Sequence, residues 1–169
     1  DITNTLNLKL KFNDNQISII TGSHILIEEV LAEISGVIGR KRLLNLSVAT
    51  EKQQIKHIIR YMPKKFRALT KSFLAEGLID CKGDISRKSD DKNPSFAMNF
   101  NIKNGVFELK EKPIKFTNIS TSGKITNGNL KNFQTSEIEF SNFSTNLENG
   151  KIFGNFKVNN LNKLFLTGN

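Results

Sequence analysis

Asn104-Gly105, Asn127-Gly128 and Asn149-Gly150 recur 23 and then 22 residues apart, each between runs in which apolar and polar residues alternate. Alternation of this kind suits strands with one apolar face, and Asn-Gly suits a two-residue turn that needs positive φ at both central positions. The spacing therefore predicts a hairpin at each pair. Ile102 would face Phe107, Ile125 would face Leu130, and Leu147 would face Ile152 across the three hairpins. Two strands per repeat of about 22 residues would bring every turn to the same rim of one antiparallel meander.

The rest of the chain extends the pattern. Leu6, Leu8, Leu10 and Phe12 alternate with Asn7, Lys9 and Lys11, as in a strand with a buried and a wet face. Asn13-Asp14-Asn15 makes a turn, and Gln16 to Thr21 returns. Ile25 to Glu28 and Val30 to Ile38 read as strands, with a helix over Ile25 to Ile38 as the alternative. Leu44, Leu46 and Val48 alternate again. The period then changes. Thr50 with Gln53 forms a capping box, and Ile55, Ile58, Ile59 and Met62 follow at helical spacing up to Pro63. Phe66, Leu69, Phe73 and Leu74 continue an apolar stripe to Gly77, a residue suited to ending a helix. After Gly77 the strand pattern resumes, interrupted by a polar loop at Arg87 to Pro94. The expected fold is mainly β: ten to twelve strands in an antiparallel meander, curled into an open trough or partial barrel, with a kinked helical hairpin as an insert. Within one continuous domain, residues 5–49 would be the first strands, 50–77 the basic helical insert and 78–166 the Asn-Gly meander.

Charge is concentrated. The chain carries a net charge of +9, and residues 40–71 hold ten Lys or Arg against Glu51 alone, so this stretch contains the whole excess. Lys56, Arg60, Lys64, Lys65, Arg67 and Lys71 form the basic side of the expected helices. Three readings stand for them: a solvated face, a surface for anionic headgroups, or a phosphate-tracking stripe for nucleic acid, the last without any recognition motif. No apolar run approaches the roughly 18 residues that a membrane-spanning helix requires. The single Cys81 excludes an internal disulfide and reads as a small buried thiol. His24 and His57 lie too far apart for a local metal motif, and His57 is expected on the solvated side. Glu137 and Glu139 alternate with Ile138 and Phe140 on a wet strand face. Neither a phosphate-cradling glycine loop nor a nucleophile elbow is present, so the expectation is a protein without catalysis, cofactor or metal.

The order of several segments carries a resemblance. Phe100-Asn-Ile-Lys-Asn-Gly-Val-Phe107, Ile119 to Gly128, Thr135 to Phe140 and Gly150 to Val158 follow one another as in the C-terminal region of the AsmA-like family. Upstream, Leu44 to Val48, Ile55 to Pro63 and Gly77 to Gly83 resemble that family's strand–helix–Pro–strand unit. The strongly basic insert and the loop at 87–94 depart from the shared pattern. The resemblance implies a segment of a longer periplasmic protein of the bacterial envelope, anchored in the inner membrane and supporting phospholipid transport or outer-membrane biogenesis. Phe100, Ile102, Phe107, Ile125, Leu130, Phe140, Leu147, Ile152, Phe156 and Val158 would line an apolar groove able to hold acyl chains, each buried CH₂ being worth about 0.8 kcal/mol. The alternative is a β-rich envelope interaction or ligand-binding module whose apolar face is packed into a closed core.

Overall fold

In the computed structural model, which describes residues 4–61, 69–163 and 165–168, the chain forms a single antiparallel sheet of eleven strands. These are β1 (Asn4–Asn7), β2 (Leu10–Asn13), β3 (Gln16–Ile27), β4 (Val30–Gly39), β5 (Leu44–Gln54), β6 (Phe73–Arg87), β7 (Ser95–Leu109), β8 (Ile114–Thr126), β9 (Glu137–Leu147), β10 (Gly150–Asn159) and β11 (Phe165–Gly168). From β3 onward each strand pairs with its successor, while β1 and β2 lie end to end along β3 as one broken edge strand. The two edges do not meet. The sheet is an open trough.

Register sorts the side chains into two faces. Following paired positions across the strands puts Ile25, Ile34, Val48, Cys81, Phe100, Ile125, Phe140 and Phe156 on one side. On the other lie Glu33, Asp84, Asn99, Lys124, Glu139 and Lys157. The apolar face is the inner one, and among the described residues no second sheet covers it, while the short helix that follows β5 lies against one corner. Among the described residues only Ile19, Val30, Ile34 and Leu161 are buried apolar side chains, whereas Leu6 and Phe12 are 66% and 67% exposed. Alternation in the first strand thus gives the expected two faces without burying either.

The Asn-Gly pairs do not act as predicted. Asn104-Gly105 lies inside β7 at a β-bulge, with Asn104 at φ 52°. Asn127-Gly128 opens the longer connection from β8 to β9. Only the third pair touches a tight hairpin, and there Glu148-Asn149 forms the turn while Gly150 faces Leu147. Ile102 consequently faces Ile79 and Thr121, Phe107 faces Ala75 and Phe116, and Ile152 faces Thr145. The three pairs fall mid-strand, at one rim and at the opposite rim, so the 22-residue spacing corresponds to one strand with its connection.

Bulges replace the missing turns as the organising device. Asn104, Asn118 and Asn142 adopt positive φ in β7, β8 and β9, next to one another across the sheet. A bulge bends its strand and increases local twist, so a row of them curls the sheet. In β6 the row continues at Gly77, whose φ of +118° and close approach to Gly105 (an added Cβ would lie 2.7 Å from the Gly105 Cα) leave no room for a side chain. Gly77 therefore serves a bulge and ends no helix. The backbone groups that bulges free are satisfied by side chains. Thr121 Oγ1 donates to the Ser141 carbonyl at 3.0 Å, and Thr145 Oγ1 donates to the Thr117 carbonyl at 2.9 Å. Asn155 Oδ1 accepts from the Asn142 amide, Asp80 Oδ1 from the Lys52 amide, and Ser23 Oγ donates to Ile20 while accepting from Lys9. This is why Thr145 and Ser23 are among the most deeply buried side chains, together with Ser136, whose hydroxyl donates to the Asn132 carbonyl within the β8–β9 connection.

The helical insert is shorter than its sequence suggests. Thr50 to Gln54 remain in β5, paired through Thr50 with Cys81 and Gln53 with Ile79, and Phe73 to Gly77 already belong to β6. Ladder bonds to a waiting neighbour outweigh a local capping signal. Between them come α1 (Ile55–Arg60) and a 3-10 turn at Leu69–Ser72. Gln54, not Thr50, caps α1, and no side chain bonds its first turn. Tyr61 donates its hydroxyl to the Ile27 carbonyl at 3.0 Å, tying the end of α1 to the β3–β4 turn.

Candidate functional site

The inner face deepens where the bulged strands meet α1. A hollow of about 300 Å³ opens there, with Ile102, Phe107, Phe116, Ile119, Phe140 and Phe143 on its floor and Ile55 of α1 at its side. Aromatic contacts pave the surroundings. Phe73 meets Phe107 at 4.9 Å between ring centroids, Phe107 meets Phe116 at 6.2 Å, and Phe143 meets Phe156 edge-on at 5.1 Å. Phe100 reaches Phe140, two strands away, at 5.5 Å because Gly123 between them carries no side chain.

The structure brings together most of the residues expected in the groove. Ile102, Phe107 and Phe140 line the hollow, and Phe100 and Phe156 pack against its wall. Ile125, Ile152 and Val158 share the inner face along the trough, and Leu147 sits opposite Phe116 near the rim. Leu130 does not belong: it lies in the β8–β9 connection and is 60% exposed. Its expected place depended on a two-residue turn at Asn127-Gly128, whereas Asn127 is buried and spans the rim, accepting from the Phe96 amide and donating to the Pro94 carbonyl. Sequence reasoning missed Phe116, Ile119 and Phe143. A bulge adds one residue to a strand, so alternation changes phase between Phe116 and Ile119 and again between Phe140 and Phe143.

The basic residues separate. Lys56 and Arg60 on α1 and Lys71 in the following turn border a second hollow of about 500 Å³, floored by Ile59, Phe73, Leu74 and Ala75. Ala75 and Glu76 border both hollows, which therefore lie side by side. Lys64, Lys65 and Arg67 lie outside the described residues. Arg60 makes only distant ion pairs with Glu28 and Glu29, each at 3.8 Å. His57 is not on a solvated side: its Nε2 lies 2.7 Å from the Glu29 carboxylate, and its side chain is mostly covered. Searches of protein-family models, curated proteins and solved structures find no match to this chain.

Chemically, the floor offers dispersion and dryness with few reactive groups. Cys81 faces inward, half-buried, and burial pushes its thiol pKa upward, which favours the unreactive protonated form. Glu137 and Glu139 lie on the outer face, as expected, 2.7 Å and 3.2 Å from Lys157 Nζ, whose pKa they raise. Among the described residues no group of three potential metal ligands gathers, and no helix is long and apolar enough to cross a membrane.

Proposed function

We propose that this chain is a non-catalytic segment of an AsmA-like envelope protein, supporting phospholipid transport in the periplasm from a parent anchored in the inner membrane. Acyl chains lie along the apolar inner face while headgroups stay wet at the open side of the trough. The observation carrying this reading is a continuous apolar face across eleven strands over which, among the described residues, no second sheet lies and α1 covers only one corner. Soluble proteins rarely leave so large an apolar surface open unless something docks there. Bulges give that face its curvature, and side-chain hydroxyls supply the hydrogen bonds that curvature removes, so no ligand is needed to satisfy the backbone. Entry of an acyl chain then contributes hydrophobic free energy without repacking the sheet.

Native mass spectrometry after extraction from bacterial lipid is the direct test. Retained phospholipid is the expected result, and none retained under mild conditions overturns the reading. Ile125→Glu and Leu147→Glu sharpen it. On an open face both variants stay folded by circular dichroism and lose most bound lipid. Unfolding would instead mark a dry core, where an unpaired charge costs several kcal/mol.

A further inference from the structure

We infer that the trough takes anionic acyl lipid in preference to zwitterionic lipid, with the headgroup seated among Lys56, Arg60 and Lys71 and an acyl chain in the adjoining apolar hollow. The inference rests on the acyl-carrying reading and adds a selectivity to it.

Placement carries the argument. Lys56 and Arg60 stand one helical turn apart on α1, and Lys71 comes from the 3-10 turn that leads into β6. The three border one hollow whose floor is Ile59, Phe73 and Ala75. Among the described residues neither Lys56 nor Lys71 has a carboxylate within ion-pair distance, and Arg60 holds its two at the 3.8 Å limit of such contact. Among the residues lining the hollow, three cations thus stand with one carboxylate, Glu76, over an apolar floor, while Glu28 and Glu29 meet only Arg60, from outside it. A solvated basic face would need neither the floor nor the convergence. The connection between β7 and β8 closes on the same corner, with the Lys110 amide donating to the Ser72 carbonyl at 3.0 Å. The basic hollow adjoins the aromatic one at Ala75, so charge and hydrocarbon stand side by side as they do in an anionic lipid. Nucleic acid would find phosphate-binding charge here without a free ring in the lining for stacking, because Phe73, the one aromatic among the lining residues, packs on Phe107.

The test uses the full chain and two vesicle types, phosphatidylcholine alone and phosphatidylcholine mixed with phosphatidylglycerol, each carrying a trace of the corresponding tail-labelled lipid. Wild-type protein should take up the labelled phosphatidylglycerol preferentially. Replacing Lys56, Arg60 and Lys71 together by Gln should reduce that preference by about tenfold or more, since each cation near an anionic surface contributes roughly fivefold. Uptake of labelled phosphatidylcholine should not change. Lys56→Arg with Lys71→Arg should keep the preference, and unchanged circular dichroism guards against a folding defect. Removing three outer-face cations, Lys103→Gln, Lys124→Gln and Lys151→Gln, should leave the preference in place. An equal loss in that control, or displacement of the lipid by duplex DNA or inorganic phosphate, overturns the inference. Equal uptake of both lipids by wild-type protein also overturns it but spares the acyl-carrying reading. Uptake of neither lipid overturns both.

Discussion

Strands β7 to β9 and the broken edge made by β1 and β2 follow the same alternation of apolar and polar residues, yet they end in opposite surroundings. In the middle, Thr121 and Thr145 are 3% and 1% exposed and phenylalanine rings touch across two strands. At the edge, Leu6 and Phe12 stand open. Hydrophobicity does not separate the two regions, since the edge is as apolar as the middle. Curvature does. Three bulges side by side fold the middle of the sheet onto its own side chains, whereas an edge strand with a neighbour on one side only has nothing to fold against. A single-layer sheet can therefore shelter part of an apolar face while leaving the remainder available.

The largest break in this comparison should come from filling the space that curvature requires. At Gly123 an added Cβ would strike the Glu139 carbonyl of the neighbouring strand and the ring of Phe100. Gly123→Val is expected to cost about 3 kcal/mol or more, because backbone on one side and a packed ring on the other cannot both give way. Gly150, at the start of β10, meets nothing nearer than the Leu147 carbonyl at 3.5 Å, and Gly150→Val should stay within about 0.5 kcal/mol. Denaturant midpoints of the two variants measure the contrast. Equal losses would mean that both sites tolerate or reject a side chain for reasons unrelated to curvature.

A second contrast concerns hydroxyls. Thr145→Val keeps the shape of the side chain and leaves the Thr117 carbonyl without its 2.9 Å donor in a buried place, at an expected cost of about 1–3 kcal/mol. Ser23→Ala removes a comparable bond to Ile20 and also frees the Lys9 amide, but beside an edge strand that water can reach when it lifts. Global stability should fall less there, while hydrogen exchange at Lys9 and Ile20 accelerates. If Ser23→Ala proves the costlier change, the edge is held more firmly than its exposure implies.

Much of the fold was legible because alternation is a direct consequence of strand geometry. Strand identity over Ile25 to Ile38, the number of strands, the polar loop near Arg87 to Pro94 and the inward placement of Phe100, Ile102 and Phe140 all follow from period two, whereas Phe107 faces inward through the bulge at Asn104-Gly105 and not through the expected hairpin. Failure came where local chemistry has two uses. Asn tolerates positive φ in a turn and in a bulge alike, so Asn104-Gly105 carried a turn signal in the middle of a fifteen-residue strand. The distinguishing mark is the neighbours' phase. Ile102-Lys-Asn-Gly105, Phe116-Thr-Asn-Ile119 and Phe140-Ser-Asn-Phe143 each hold two inward residues three apart around an Asn, a slip that bulges produce and hairpins do not. The helical reading of Thr50 to Gln54 and of Phe73 to Gly77 failed for a different reason. Both segments can pair with a strand that local sequence does not reveal. The convergence of Lys56, Arg60 and Lys71 was hidden likewise, because it depends on how α1 lies against β6.

The finest test asks whether Asn itself matters at those slips. Asn118 holds φ 53° without a glycine's freedom, a conformation that costs most other residues about 1–2 kcal/mol and that Asn adopts more readily. Asn118→Ala should lower stability by about 1 kcal/mol, and Asn118→Gly should recover most of the loss, because glycine enters this region without steric penalty. Asn101→Ala, on the outer face of β7 between the Asp80 and Ser122 positions, should change almost nothing. Thermal melts of the three variants separate a backbone requirement from the loss of an amide side chain. Were Asn118→Gly as damaging as Asn118→Ala, the side chain's contacts rather than its tolerance of positive φ would be holding the bulge. The curvature of the trough would then depend on those contacts.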